Sequence, residues 1–138
     1  MPLFTSTYTN RVDKKGRVSI PAAFRSTLPD DDQSVAIFPS LVSKAIEGFD
    51  NQYLEHISDR LSNFDMLTTP SLTQDPAAKI LSRSMTISFD GDGRLVLPQD
   101  FIKHAGITDR AIFVGLGRTF QIWSPEEYEA ALKQGDGA

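Results

Sequence analysis

The stretch Val12-Asp13-Lys14-Lys15-Gly16-Arg17-Val18-Ser19-Ile20-Pro21, VDKKGRVSIP, returns seventy-seven positions later as Phe89 to Pro98, FDGDGRLVLP. Asp, Gly, Arg and Pro keep their places, while the two residues before the glycine change from Lys-Lys to Gly-Asp. After each glycine, Val18 and Ile20, or Leu95 and Leu97, alternate with other residues, which is the period of a strand with one buried face. Ahead of the first copy, Phe4, Tyr8 and Val12 share one parity and Thr5, Thr7, Thr9 and Arg11 the other, so a strand with a Thr-rich polar face leads into the turn. In the turn, Gly16 can take a positive φ and Asp13 can hydrogen-bond the backbone. Each decapeptide therefore reads as a hairpin. Pro21 cannot donate to a ladder, so it ends the second strand and opens a helix expected over 22–28. In the second copy Met85, Ile87 and Phe89 are expected to face inward, and a helix over 99–105 is closed by Gly106.

The echo extends further. Ala36-Ile37-Phe38 matches Ala111-Ile112-Phe113, Leu41 matches Leu116, and Tyr53 matches Tyr128. The repeating unit is a hairpin, a helix, two more strands and a closing helix. The last helix is marked by Ser124 as N-cap, Pro125 in the first turn and Glu127 completing a capping box. Between the copies, residues 51–83 read as two helices around a break at Thr68-Thr69-Pro70-Ser71, the second opened by Asp75-Pro76 and carrying Lys79 and Arg83 on one face. Four strands in about fifty residues bury too little surface to stand alone. The fold class expected is mainly β with short helices (α+β), in which two units exchange hairpins across a pseudo-two-fold axis and close one barrel.

The chain has 138 residues, of which 40% are apolar and 23% charged, enough for one full core. It has no cysteine, which removes disulfides, thiolate metal sites and thiol nucleophiles together. The N-terminal segment lacks a signal-peptide pattern and no window approaches a membrane span, so a cytoplasmic location is expected. A net charge of -4 runs against binding a polyanion, but charge is local. Arg11, Lys14, Lys15, Arg17 and Arg25 surround the first motif, opposed only by Asp13. The first turn, with Lys14, Lys15 and Arg17 against Asp13, carries +2; the second, with Arg94 against Asp90 and Asp92, carries -1.

Catalytic and cofactor patterns do not fit. Asp90-Gly91-Asp92-Gly93 begins like a calcium loop, but its twelfth position is Phe101, where a carboxylate ligand is needed. Gly115-Leu116-Gly117 lacks the third glycine and the helix of a dinucleotide site and reads as a tight turn. His56 and His104 have no partner at ligand spacing. No cofactor, metal or enzymatic activity is expected. The two Asp/Arg pairs could simply brace their turns, yet bracing does not explain two further lysines in the first turn, which repel each other and Arg17 unless an anion meets them. The polar face made by Thr5, Thr7, Thr9, Arg11, Arg17 and Ser19 is of the kind a β-ribbon reader lays against DNA. A non-DNA-binding adaptor or scaffold ring is the alternative, supported by the acidic balance of the chain.

Val12 to Arg25, the second Asp-x-x-Gly-Arg-x-x-x-Pro, and Phe113-Val-Gly-Leu-Gly-Arg-Thr-Phe-Gln-Ile-Trp-Ser-Pro-Glu-Glu-Tyr128 together resemble the MraZ family of transcriptional regulators of the division and cell-wall gene cluster. The resemblance covers nearly the whole chain. It implies two tandem SpoVT-AbrB-type units, placed at 7–54 and 84–127, with a helical connector at 55–83 and a C-terminal helix and short tail at 128–138. It also implies ring-shaped homo-oligomers, a nucleoid-associated location, and binding of double-stranded DNA at promoter repeats through the turns. Carried over residue by residue, the resemblance points to Asp13 and Arg17 and to Asp90 and Arg94; residue chemistry adds Arg17 as the reader of base edges through its planar fork and Lys14, Lys15 and Arg11 as phosphate contacts. Asp13, Gly16, Asp90 and Gly93 support the turns. Asp92 sets the second turn apart by its acidity.

Overall fold

The computed structural model describes residues 3–29, 31–62 and 74–136. In chain order the elements are β1 (Thr7–Arg11), β2 (Arg17–Ser19), α1 (Ala22–Arg25), β3 (Ser34–Pro39), β4 (Ile46–Phe49), α2 (Asn51–Ser62), α3 (Pro76–Arg83), β5 (Met85–Ser88), β6 (Arg94–Val96), α4 (Gln99–Ala105), β7 (Arg110–Gly115), β8 (Phe120–Trp123) and α5 (Pro125–Asp136). The helix break expected at Thr68-Thr69-Pro70-Ser71 lies outside the described residues, as does Asp30.

Among the described residues the strands are antiparallel and form two sheets, a six-stranded one in the order β1-β7-β8-β4-β3-β5 and a two-stranded ribbon of β2 and β6. The fold is therefore α+β with antiparallel sheets. Exchanging the two units leaves the strand order unchanged. Val18 faces Leu95, its counterpart in the repeat, and Glu47 faces its counterpart Gln121. Two equivalent hydrogen bonds flank the first of these pairs: Ile20 N donates to Gly93 O at 2.8 Å and Leu97 N to Gly16 O at 2.9 Å.

The hairpin reading holds only at the tip of each turn. Asp13 N donates to Arg17 O and Val12 bridges Val18, but beyond that β1 pairs with β7 and β2 with β6. The second unit behaves alike, with β5 on β3. Period-2 patterning sets which face a strand buries, not which strand it pairs with, so the exchange between units is a matter of tertiary structure. Continuity from Phe4 to Val12 also fails: Ser6 has φ 71 and breaks the run, leaving Phe4 in an isolated bridge to Gly117.

Ladder registers correct the repeat alignment at the third strand. Val35 and Ile37 lie in the main core with Ala111 and Phe113, whereas Ala36 and Phe38 lie on the opposite face of the sheet, as Ile112 does. The true counterparts are thus Val35 with Ala111 and Ile37 with Phe113, one residue away from the Ala-Ile-Phe match. A one-residue slip exchanges the buried and outer faces.

The main core lies between the sheet and the ribbon with α1 and α4. Phe24, on α1, is edge-on to Phe4 at 5.3 Å and to Tyr8 at 5.6 Å. α1 is shorter than expected, though Leu28 beyond it is buried. α4 matches its expected bounds and ends in Gly106 at φ 68. Met85, expected to face inward, is 45% exposed on the edge strand β5. On the outer face of the sheet, α2 and α3 cover Phe38 and Phe49, and α5 places Tyr128 against Trp123. Asp75 Oδ1 caps α3 by accepting from Ala77 N, and Ser124 Oγ caps α5 by accepting from Glu127 N.

Phe24→Ala should lower unfolding free energy by about 3–5 kcal/mol, because it empties the centre of the aromatic cluster. Equilibrium urea unfolding measures it, and a loss below about 1 kcal/mol would show that α1 does not seal the core.

Candidate nucleic-acid interface

Both Asp-x-x-Gly-Arg turns are built the same way. In the first, Asp13 Oδ1 accepts from Lys15 N and Arg17 N, each at 2.9 Å, and Gly16 N donates to Asp13 O at 3.0 Å. In the second, Asp90 Oδ1 accepts from Asp92 N at 2.9 Å and Arg94 N at 3.0 Å, and Gly93 N donates to Asp90 O at 2.9 Å. Gly16 and Gly93 have φ of 85° and 79°, a conformation that glycine adopts without strain. The carboxylate of Asp90 is committed to the turn.

The arginines are held differently. Arg17 Nε reaches Asp13 Oδ2 at 2.9 Å. Arg94 is shared, with Nε 3.5 Å from Asp90 Oδ2 and Nη2 3.0 Å from Asp92 Oδ2. Both side chains remain 47% exposed, so these pairs orient the guanidinium more than they stabilise the fold. Lys14 and Lys15 are exposed at the tip of the first turn, and neither side chain forms an ion pair among the described residues.

Beneath each turn lies a residue from the other unit's helix. A Cβ on Gly16 would come within 3.0 Å of Ile102 Cδ1, and one on Gly93 within 2.5 Å of Arg25 Nε. Arg25, grouped with the first motif in the sequence, thus sits under the second turn, where its buried Nε has no hydrogen-bond partner. It brings a positive charge to the turn that is acidic by sequence.

On the ribbon, Val18 and Leu95 point into the core and Arg17, Ser19, Arg94 and Val96 point outward, with Arg17 opposite Val96 and Ser19 opposite Arg94. Val96, 51% exposed, is an outward-facing apolar residue on the ribbon. Beside the ribbon opens a cleft of about 490 Å³ lined by Arg11, Arg17, Arg94 and Arg110 together with Asp13 and Asp109. Arg11, Arg17 and Arg94 were expected site residues; Arg110 was not, because it lies far from either motif and reaches the cleft only through the pairing of β7 with β1. Asn10 Nδ2, which donates to Ser19 O at 2.6 Å, ties β1 to the ribbon there. Asp13 and Asp90, Arg17 and Arg94, and Gly16 and Gly93 are brought to matching places; Lys14 and Lys15 have no basic counterparts.

The chain is a duplicated α+β protein whose two Asp/Arg turns share one backbone hydrogen-bond pattern and flank one exposed ribbon. The MraZ family model, described as antitoxin-like MraZ proteins, matches residues 3–75 and 80–136, one segment for each half. The transcriptional regulator MraZ of Rickettsia akari is 39% identical over 136 residues, covering 96% of this chain and 89% of the relative. Those of Pelagibacter ubique and Rhodospirillum rubrum are each 42% identical, covering 92% and 95% of this chain and 81% and 85% of the relatives. The chain belongs to the MraZ family of transcriptional regulators, which are not enzymes. Among the described residues no helix is long and apolar enough to cross a membrane.

The carboxyl groups of Asp13 and Asp90 are held below the ordinary aspartate value, first by the backbone N–H of Arg17 and of Arg94 respectively. A depressed folded value means that the turn's stabilisation is present above the unfolded value, near 3.9, and is lost as pH falls through the folded one. Carbon-detected NMR titration should place both midpoints below about 3.9, with the Arg17 and Arg94 amide shifts following them. Midpoints at or above that value would remove the turn hydrogen bonds as the cause.

Proposed function

We propose that the protein binds double-stranded DNA sequence-specifically at repeated promoter elements, in the cytoplasm and on the nucleoid, with the first turn as the main contact. Two SpoVT-AbrB-type units, 7–54 and 84–127, close a swapped-hairpin barrel, and barrels associate head to tail into a ring. The observation that carries this reading is the first turn: Asp13 orders Arg17 at 2.9 Å while Lys14 and Lys15 stand exposed beside it without ion partners among the described residues. Ordered carboxylate-held arginine suits base recognition, because the planar guanidinium can bond guanine O6 and N7 together once it turns to the groove. Exposed lysines without ion partners suit phosphates, which position the protein without reading sequence. The second turn lends Arg94, but Asp90 and Asp92 both hold it. Its part is to complete the ribbon and, at most, to graze the backbone. Several such turns on one ring would multiply weak contacts.

Arg17→Ala should abolish discrimination between promoter and random duplex, at about 1–3 kcal/mol per engaged protomer, with the assembly intact. Arg94→Ala should lose much less affinity. Fluorescence anisotropy with both duplexes, beside melting curves, measures both, and equal affinity losses in equally stable variants would show that the turns share the work. Parent affinity should fall with salt at a log-log slope of several units, about -0.9 for each phosphate met. No binding to either duplex at micromolar protein and low salt would instead favour the adaptor. Light scattering should find an oligomer at tens of micromolar protein, and a strict monomer would end the ring.

A further inference from the structure

We propose that Arg11 and Arg110 form a phosphate-binding pair beside the first turn and seat one DNA backbone phosphate; the identity of the polyanion rests on the function proposed above, while the anion site itself does not.

The two arginines face each other directly across β1 and β7. Gly115 N donates to Ser6 O and Val12 N to Asp109 O, which puts the hydrogen-bonded pairs of this ladder at the even-numbered residues of β1. Arg11 and Arg110 therefore occupy a non-hydrogen-bonded pair, where Cα atoms approach to about 4.5 Å and side chains lie closest. Like charges placed directly opposite each other destabilise a sheet. Among the described residues neither side chain forms an ion pair, and both are exposed. Asp13 is taken by Arg17, and Asp109 Oδ1 accepts from Thr108 Oγ1 at 3.2 Å.

The pseudo-two-fold supplies an internal control. The place equivalent to Arg11 and Arg110 in the other half is held by Ser88 opposite Ser34, with Ser34 hydrogen-bonded to Asp32. Two small hydroxyl groups satisfy the fold there, so the ladder does not require arginine at this position. The arginine pair is an addition confined to the side of the molecule that carries Lys14 and Lys15.

The surroundings fit a phosphodiester. Arg11 and Arg110 share the cleft of about 490 Å³ with Arg17 and Arg94; Asp13 pairs with Arg17, and Asp90 and Asp92 pair with Arg94, which leaves Arg11 and Arg110 as the cleft's guanidinium groups without an ion partner among the described residues, with Asp109 nearby. A guanidinium donates through a planar fork, and two forks rising from adjacent strands can each take an oxygen of one tetrahedral phosphate. Bound there, the phosphate neutralises the repulsion and fixes where the backbone runs relative to Arg17.

The test uses the full chain, with Arg110→Gln and, on the edge strand, Arg11→Gln. Each variant should weaken promoter and random duplex alike, keep the ratio between them, and reduce the salt slope by about 0.9. Arg17→Ala, in contrast, should lose the ratio. Inorganic phosphate is the second probe. It should shift the Arg11 and Arg110 side-chain Nε–H NMR signals more than chloride at equal ionic strength does, and raise the parent's melting temperature. Arg110→Gln should melt higher than the parent in low salt without phosphate and gain nothing from phosphate; a purely structural arginine would give the opposite sign. Unchanged random-duplex affinity and salt slope in both variants, while Arg17→Ala still loses discrimination, would overturn the pair and leave the proposed function standing. A phosphate response in a parent that binds no duplex would overturn DNA as the source. No phosphate-specific response would overturn the anion site.

Discussion

The structure depends on backbone hydrogen bonds that cross between the two halves of the chain. At the centre of the ribbon Val18 lies against Leu95, and Ile20 and Leu97 each donate to the glycine of the other half's turn. β1 and β5 are likewise completed by the third strand of the other half, and β4 meets β8 at the pair Glu47 and Gln121, joined by Gln121 Nε2 donating to Glu47 Oε2 at 3.2 Å. An isolated half would leave its first two strands with unpaired N–H and C=O groups and half of its core open to water, a cost that short strands cannot bear. Duplication in one chain therefore supplies the second copy that each half needs, and it fixes both turns on one ribbon.

Within that symmetric frame the functional features are asymmetric. Ile102 supports the first turn and Arg25 the second; the first tip carries two lysines where the second carries Gly91 and Asp92; arginines face each other where serines do in the other half. The bonds that hold the turns are nearly identical, so the backbone constrains the Asp, Gly and Arg positions in both copies and leaves the tip and flanking residues unconstrained. Exposed cations have collected at the tip and flank of the first turn, where the second has Gly91, Asp92 and a pair of serines. A protein with net charge -4 can thus keep a basic tip, because the carboxylates nearest it are engaged, Asp13 by Arg17 and Asp90 and Asp92 by Arg94, while Lys14 and Lys15 have no such partner among the described residues.

Much of this was legible in residue order. The Asp and Gly of each turn, the inward parity of Val18, Ile20, Leu95 and Leu97, the short helix closed by Gly106 and the Ser124 cap follow from local chemistry, in which the residue that sets the conformation sits within a few positions of its effect. Partnership was not legible. The alternation along Thr7–Arg11 suits pairing with β2 as well as with β7, and only the packed core decides. For the same reason Ala36-Ile37-Phe38 was matched to its look-alike instead of to its equivalent one residue away, since residue similarity does not report which face a strand turns inward. Arg25 and Arg110 escaped notice as members of the turn and the cleft because sequence neighbours assign them elsewhere. Three expected contacts, Arg11, Arg17 and Arg94, do converge on one cleft, since each lies on a turn-flanking strand whose parity was read correctly.

The pairing of β1 with β7 joins residues about a hundred positions apart. On a ribosome the first strand leaves the exit tunnel long before its partner has been made, and at synthesis speeds of roughly 5–20 residues per second it waits seconds with an open edge. β2 waits for β6 in the same way. The nascent first half is thus a template for strand addition by any neighbouring chain, including another copy being translated from the same message. Thr7, Thr9 and Arg11 on its polar parity, with Lys14 and Lys15 at the following turn, give that strand a polar and charged edge. Charged residues on an open edge oppose strand addition, and this sequence places its basic cluster beside the strand that waits longest for its partner.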